Sequence, residues 1–160
     1  MTECDRRTLV THGALVFLLG MAAGFPFAFE ILGRIEVWPL PGSVSLEMPG
    51  DVRGWRMAHL EGILNGLLLI AVAGVGPLLR LGPHAARWVT RGLLVCAWGN
   101  VTASWIAPLT ETRGLAFDGI GWNGLVYGLF VAAIVGVIGA MVNVFRGARA
   151  KGRDGPAGSP

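Results

Sequence analysis

His59, Glu61 and Asn65 open a long apolar run, Ala58-His59-Leu60-Glu61-Gly62-Ile63-Leu64-Asn65-Gly66. An imidazole, a carboxyl and a carboxamide are costly to bury in lipid, so such groups mark a functional site by default. At helical spacing His59 shares one face with Gly62, Ile63, Gly66, Ile70 and Ala73, which leaves a flat surface below the imidazole that suits a planar macrocycle. Glu61 and Asn65, four apart, form a neighbouring stripe that turns to a different partner. Cys96, Asn100 and Ser104 recur at i, i+4 and i+8 in a second apolar run. If the two stripes face each other they line a pocket, with Asn65, Asn100 and Ser104 as candidate catalytic groups.

Histidine is the usual axial ligand of haem, and the chain has no Cys-x-x-Cys-His, so a haem here is expected to be b-type and held without thioether links. His59 is then the candidate metal ligand, with Gly62 and Gly66 as the face of the cofactor site. Arg53 and Arg56, just outside the run, are candidate partners for the propionates. The competing readings are an interfacial histidine bonded to a loop carbonyl and two arginines that anchor the helix at the interface. His12 falls near the opposite membrane face from His59, and across a core of about 30 Å the two rings should lie tens of ångströms apart. One haem cannot take both, so its sixth position is expected to be open, which suits a site that activates a ligand better than an electron carrier. His84 sits in a basic connection and reads as solvated. A haem-free transporter or scaffold is the contrasting possibility.

The elements that must position these groups are spans. Apolar residues make up 53% of the chain and charged residues 14%, far from a soluble domain. Four apolar runs, roughly 8–29, 57–79, 85–107 and 121–145, each reach the ~20 residues needed to cross a bilayer. The expectation is an all-α, multi-pass four-helix bundle over residues 1–146, followed by a disordered tail, 147–160, rich in Gly, Pro, Arg and Ser. The first run is too long for a signal peptide and reads as a retained helix. Frequent glycines in the spans, Gly20, Gly24, Gly62 and Gly66 among them, are expected where helices approach closely.

Arg6, Arg7, Arg80, Arg87, Arg91, Arg146, Arg149, Lys151 and Arg153 flank one side of the spans, against Arg34, Arg53, Arg56 and Arg113 on the other. The positive-inside rule puts both termini in the cytoplasm, with the chain in the cytoplasmic (inner) membrane. The net charge of +3 is accounted for by topology, and no nucleic-acid partner is expected. Trp38, Trp55, Trp88 and Trp122 fall near the interfaces, where amphipathic rings prefer to sit. Cys4 and Cys96 lie too far apart to bridge. The longest connection, 33–56, carries three prolines and alternating apolar residues, and reads as a shaped cap with short extended pieces.

The Ala-His-Leu-Glu-Gly-x-x-Asn-Gly run, Thr11-His12-Gly13, Trp98-x-Asn100 and Arg113-Gly-Leu-x-Phe117 together resemble the styrene-oxide isomerase family and the related hydroxylaminobenzene mutases. The likeness covers nearly all of residues 8–145. It implies a homotrimeric membrane enzyme with ferric haem b at each subunit interface, one axial histidine matching His59, and a pocket asparagine matching Asn65 near the substrate oxygen. The implied reaction is an isomerisation of a small lipophilic substrate: ferric iron acts as a Lewis acid on an epoxide oxygen, the benzylic C–O bond opens, and a 1,2-hydride shift gives the aldehyde. Where the epoxide isomerases carry an acidic residue and a tyrosine on the third helix, this chain has Cys96 and Ser104. A serine offers no π face to a developing cation, so Trp98, Trp105 or Tyr127 would have to supply one, Tyr127 from a face of the fourth helix that it shares with Asn123. The substrate stays open between an epoxide and an aromatic hydroxylamine, and a non-enzymatic haem sensor or electron-transfer protein is the alternative of a different class.

Overall fold

The computed structural model describes residues 1–36, 39–112 and 114–150, and Trp38, Arg113, Lys151 and Arg153 fall outside these. Four long helices, α1 (Glu3–Leu32), α2 (Val52–Val75), α3 (Pro83–Leu109) and α4 (Trp122–Arg149), make up most of it. Each is long and apolar enough to cross a membrane. Their ends follow local chemistry. Thr2 and Asp5 close a reciprocal capping box on α1, and Gly33, in the left-handed region at φ 63°, ends it. Asp51 caps α2 through the Gly54 N–H, and Pro83 starts α3 where its missing N–H costs nothing.

The cap on 33–56 contains the expected extended pieces. Strands β1 (Arg34–Glu36) and β2 (Ser43–Ser45) pair antiparallel with Ile35 opposite Val44, and Arg34 and Glu36 form an ion pair at 2.8 Å.

Lipid gives no hydrophobic drive for helices to associate, so close backbone approach has to supply the packing. The α1/α2 pair does this with glycine. A Cβ on Gly62 would overlap the backbone of Gly20, and one on Gly66 would overlap the Gly13 carbonyl and Phe17. Gly92 and Gly136 bring α3 and α4 together in the same way. Leu9, Val16, Leu69, Val89 and Leu93, from α1, α2 and α3, are fully buried between the helices. α4 packs chiefly on α3, which is the most enclosed of the four helices. Leu18, Phe25, Leu64, Val135 and Ile138 face outward, as lipid-facing positions should.

The Arg6 side chain lies beside Gly76, and Leu81 packs on Gly147, so the start of α1, the 76–82 connection and the end of α4 meet at one end of the molecule. This corrects the expected tail boundary: α4 runs on to Arg149, because Gly147 is buried under Leu81 and its carbonyl accepts the Arg80 N–H at 3.1 Å. Residues 151–160 of that tail are outside the described residues. Trp55, in the first turn of α2, is 3% exposed, and its indole N–H donates to the Pro49 carbonyl of the preceding connection at 2.9 Å. Trp88 and Trp122 are exposed, as belt residues should be.

Candidate active site

His59 sits on the face of α2 turned to α1. Its Nδ1 lies 2.8 Å from the carbonyl oxygen of Gly20, an acceptor only, so Nδ1 carries the proton and donates. Nε2 is thereby left as a lone-pair donor, with no hydrogen-bond partner among the described residues. Gly24 lies directly under the ring, where a Cβ would come within 2.9 Å of Nδ1, and Phe27 stacks on it at 6.1 Å between centroids. Three residues of α1 therefore set the tautomer, the height and the tilt of one imidazole. Sequence reading took Gly20 and Gly24 for packing alone; their four-residue spacing was the available signal that something on α2 needed room.

The flat surface assigned to Gly62 and Gly66 is corrected. Both are buried, and α1 itself fills the space, so no macrocycle can lie on them within one protomer. Arg53 is six residues before His59, about 120° round the helix. It lines a cleft of about 350 Å³ with Asp51, Met57, Pro108 and Glu111, between the start of α2 and the end of α3, and does not adjoin the imidazole face. Arg56, exposed and about 60° round, is the arginine on the histidine's side.

The two polar stripes do meet. Asn65 Nδ2 donates to the Glu61 carbonyl at 2.9 Å and to Glu61 Oε2 at 2.8 Å. Its Oδ1 accepts from Cys96 Sγ at 3.2 Å and from Asn100 Nδ2 at 3.4 Å. Asn65 is 5% exposed, and this cluster ties α2 to α3 on a face turned away from His59. Asn65→Leu is expected to destabilise the fold by about 1–3 kcal/mol, because Glu61, Cys96 and Asn100 lose their common partner inside the bundle. Thermal unfolding in detergent measures it, and Asn65→Leu with Glu61→Leu should recover part of the loss.

Ser104 does not join the cluster. It is fully buried and its hydroxyl donates to the Val101 carbonyl of its own helix at 3.1 Å, which corrects its assignment as a catalytic group. Asn123 and Tyr127 also go elsewhere: Asn123 bonds the backbone of Ala116 and Asp118, and Tyr127 packs edge-on to Phe117. Trp98 donates to His12 Nδ1 at 3.1 Å. His12 lies at the depth of Leu69 on α2, since its neighbour Gly13 packs there, so it is about 15 Å along the axis from His59, nearer than expected but far beyond reach of a shared metal. His84 accepts from the Trp88 indole at 3.2 Å.

Sequence reading named Trp105 as a possible aromatic face but missed the residues that join it beside the histidine. Ala23, Trp55 and Ala58 form a buried cluster on which Phe27 and Trp105 pack, and Trp55 meets Trp105 edge-on at 5.7 Å. Trp55 and His59 are four apart on α2, which was the legible part of that pattern. Among the described residues no three His, Cys, Asp or Glu side chains converge on a metal site. The one lone-pair nitrogen left on His59 is what a group bringing its own equatorial ligands, such as haem, would ask of this site.

Fold and site together define a multi-pass helical membrane protein built around one backbone-oriented histidine in an aromatic setting. A model of the family described as styrene oxide isomerase matches residues 5–149, and the chain belongs to that family. A styrene-oxide isomerase of Pseudomonas fluorescens is 28% identical over 118 residues, which cover 73% of this chain and 69% of that protein. The chain is accordingly an isomerase.

Proposed function

We propose that this isomerase holds one haem b on His59 Nε2 and converts a small lipophilic epoxide, styrene oxide or a close relative, to the isomeric aldehyde without net redox. The observation that carries the reading is the Nδ1–H bond from His59 to the Gly20 carbonyl, since metal-ligating histidines are oriented by such a bond on their other nitrogen. When bound, ferric haem supplies a Lewis acid for the substrate oxygen.

The remaining work falls to protein groups. Opening a benzylic C–O bond places positive charge on carbon, and water reaching that carbon would give a diol. Phe27, Trp55, Trp105, Ala23 and Ala58 form an apolar wall at the depth of His59 and offer aromatic faces to the developing charge. That supports a substitute for the π surface that Ser104 lacks. Asn65 and Asn100 act as positioning residues, locking α2 to α3 so that this wall keeps its shape. The exposure of Arg56 on the histidine's side of α2 supports it as the partner of a propionate. The half-burial of His59 supports a site completed by further copies of the chain, a homotrimer in this reading, in the cytoplasmic membrane with both termini in the cytoplasm.

Purified protein assayed on styrene oxide and on phenylhydroxylamine tests the reading. The expected result is phenylacetaldehyde from the first and no aminophenol from the second, in protein whose pyridine haemochrome is b-type. Aminophenol formation without aldehyde would assign the mutase reaction instead.

A further inference from the structure

The nitrogen of the Trp105 indole is fully buried, yet it has no hydrogen-bond partner, the only such side-chain atom among the described residues. Native structures rarely leave a buried N–H unpaired, and such a group calls for an explanation, a functional role or a bound group among them. Trp98 donates to His12, Trp55 to Pro49 and Trp88 to His84. Trp122 is exposed to its surroundings, so among the described residues Trp105 is the one indole whose N–H is both buried and unpaired.

Its position makes that exception informative. Asn65 bonds Cys96 and Asn100, and Gly54 packs on Pro108, so the antiparallel register of α2 and α3 brings Trp105 to the depth of Ala58 and His59. There it packs on the Ala23, Trp55 and Ala58 cluster, which Phe27 joins while stacking on the His59 ring. A donor without an acceptor, in an aromatic enclosure, at the depth of the lone-pair nitrogen of His59, fits a ligand that is aromatic and carries one oxygen.

We propose that Trp105 is a substrate-binding residue, its indole N–H donating to the oxygen of the bound aromatic epoxide and its ring packing against the aromatic part of the substrate. The proposal rests on the epoxide reading above. As the C–O bond opens, negative charge gathers on that oxygen and a bond from a neutral donor strengthens, so the contribution belongs to catalysis as well as to binding. No proton is transferred and no electrons move.

The full chain, labelled with 5-fluorotryptophan in detergent, supplies a readout that needs no turnover. The Trp105 fluorine resonance is assigned by its absence from Trp105→Phe. Acetophenone, an aromatic ketone that cannot isomerise, is expected to shift that resonance, and ethylbenzene, which lacks the oxygen, is expected to shift it less. Trp105→Phe keeps an aromatic ring and removes the unpaired donor, so its unfolding midpoint should equal or exceed wild type. Its kcat/KM for styrene oxide should fall about tenfold, the scale of one hydrogen bond. Equal shifts with both probes, or wild-type kcat/KM in Trp105→Phe, would overturn the proposal. If wild type itself leaves styrene oxide unchanged, the epoxide reading fails, while an acetophenone-specific shift would still place a donor to an oxygenated aromatic at Trp105.

Discussion

With haem held on His59 as proposed above, His59→Ala is expected to abolish both haem retention and isomerase activity, with a loss of at least about two orders of magnitude in kcat. Disturbing only the groups that orient a metal-bound histidine typically costs 10- to about 100-fold, and removing the nitrogen itself is more severe. The substitution should leave the fold standing, because the ring lies in a seam that Gly20, Gly24 and Phe27 also define, and its own contribution there is one hydrogen bond and the stack on Phe27. Absorption spectra of purified protein, oxidised and dithionite-reduced, give the haem content directly. His12→Ala is the matched control: it breaks the bond from Trp98, about 15 Å deeper along the bundle, and should keep its haem. Full haem in His59→Ala would move the ligand elsewhere.

Gly62→Val is expected to prevent the α1/α2 pair from closing, and so to lose most monodisperse protein on extraction. The added Cβ would overlap Gly20 Cα and N and approach the Val16 carbonyl, all of them backbone atoms that no rotamer change can clear. Overpacking a core costs about 1–3 kcal/mol where side chains can give way, and two apposed helix backbones give way less readily. Gly139→Ala, on α4, is the control, since its Cβ would meet nothing within 4 Å. There the gain in helix propensity, about 1 kcal/mol, should leave stability equal or higher. Size-exclusion profiles and unfolding midpoints in one detergent compare the two variants.

These outcomes bear on what the sequence could and could not disclose. The four spans were legible because length and apolarity alone specify them, and the cap strands because alternation and proline placement are local signals. His59 stood out because an imidazole in a span is costly, and the Asn65/Cys96/Asn100 contact followed from helical spacing on two neighbouring helices. The faces of glycine were not legible. Gly62 and Gly66 look the same in sequence whether a cofactor or another helix covers them, and only the partner helix, with Gly20 and Gly13 at the same depth, decides it. Ser104 misled for a related reason: a hydroxyl that bonds its own helix and one that faces a substrate occupy the same stripe. Trp105 was named from sequence as one of three candidate aromatic faces, but its packing against Trp55 was hidden, because a tryptophan near a span end, as Trp55 is, reads as interfacial until its neighbours are known.

The bond between His59 and the Gly20 carbonyl joins two helices whose backbones touch without intervening side chains. A transmembrane pair of this kind answers a thinner or thicker bilayer by tilting as one body, since sliding one helix past the other would break the glycine contacts. The imidazole therefore keeps its register with α1 whatever the acyl-chain length of the host membrane, and its geometry is referenced to a neighbouring backbone oxygen rather than to the lipid surface. Activity reconstituted in short- and long-chain phosphatidylcholines should differ through substrate partitioning, with the site itself unchanged.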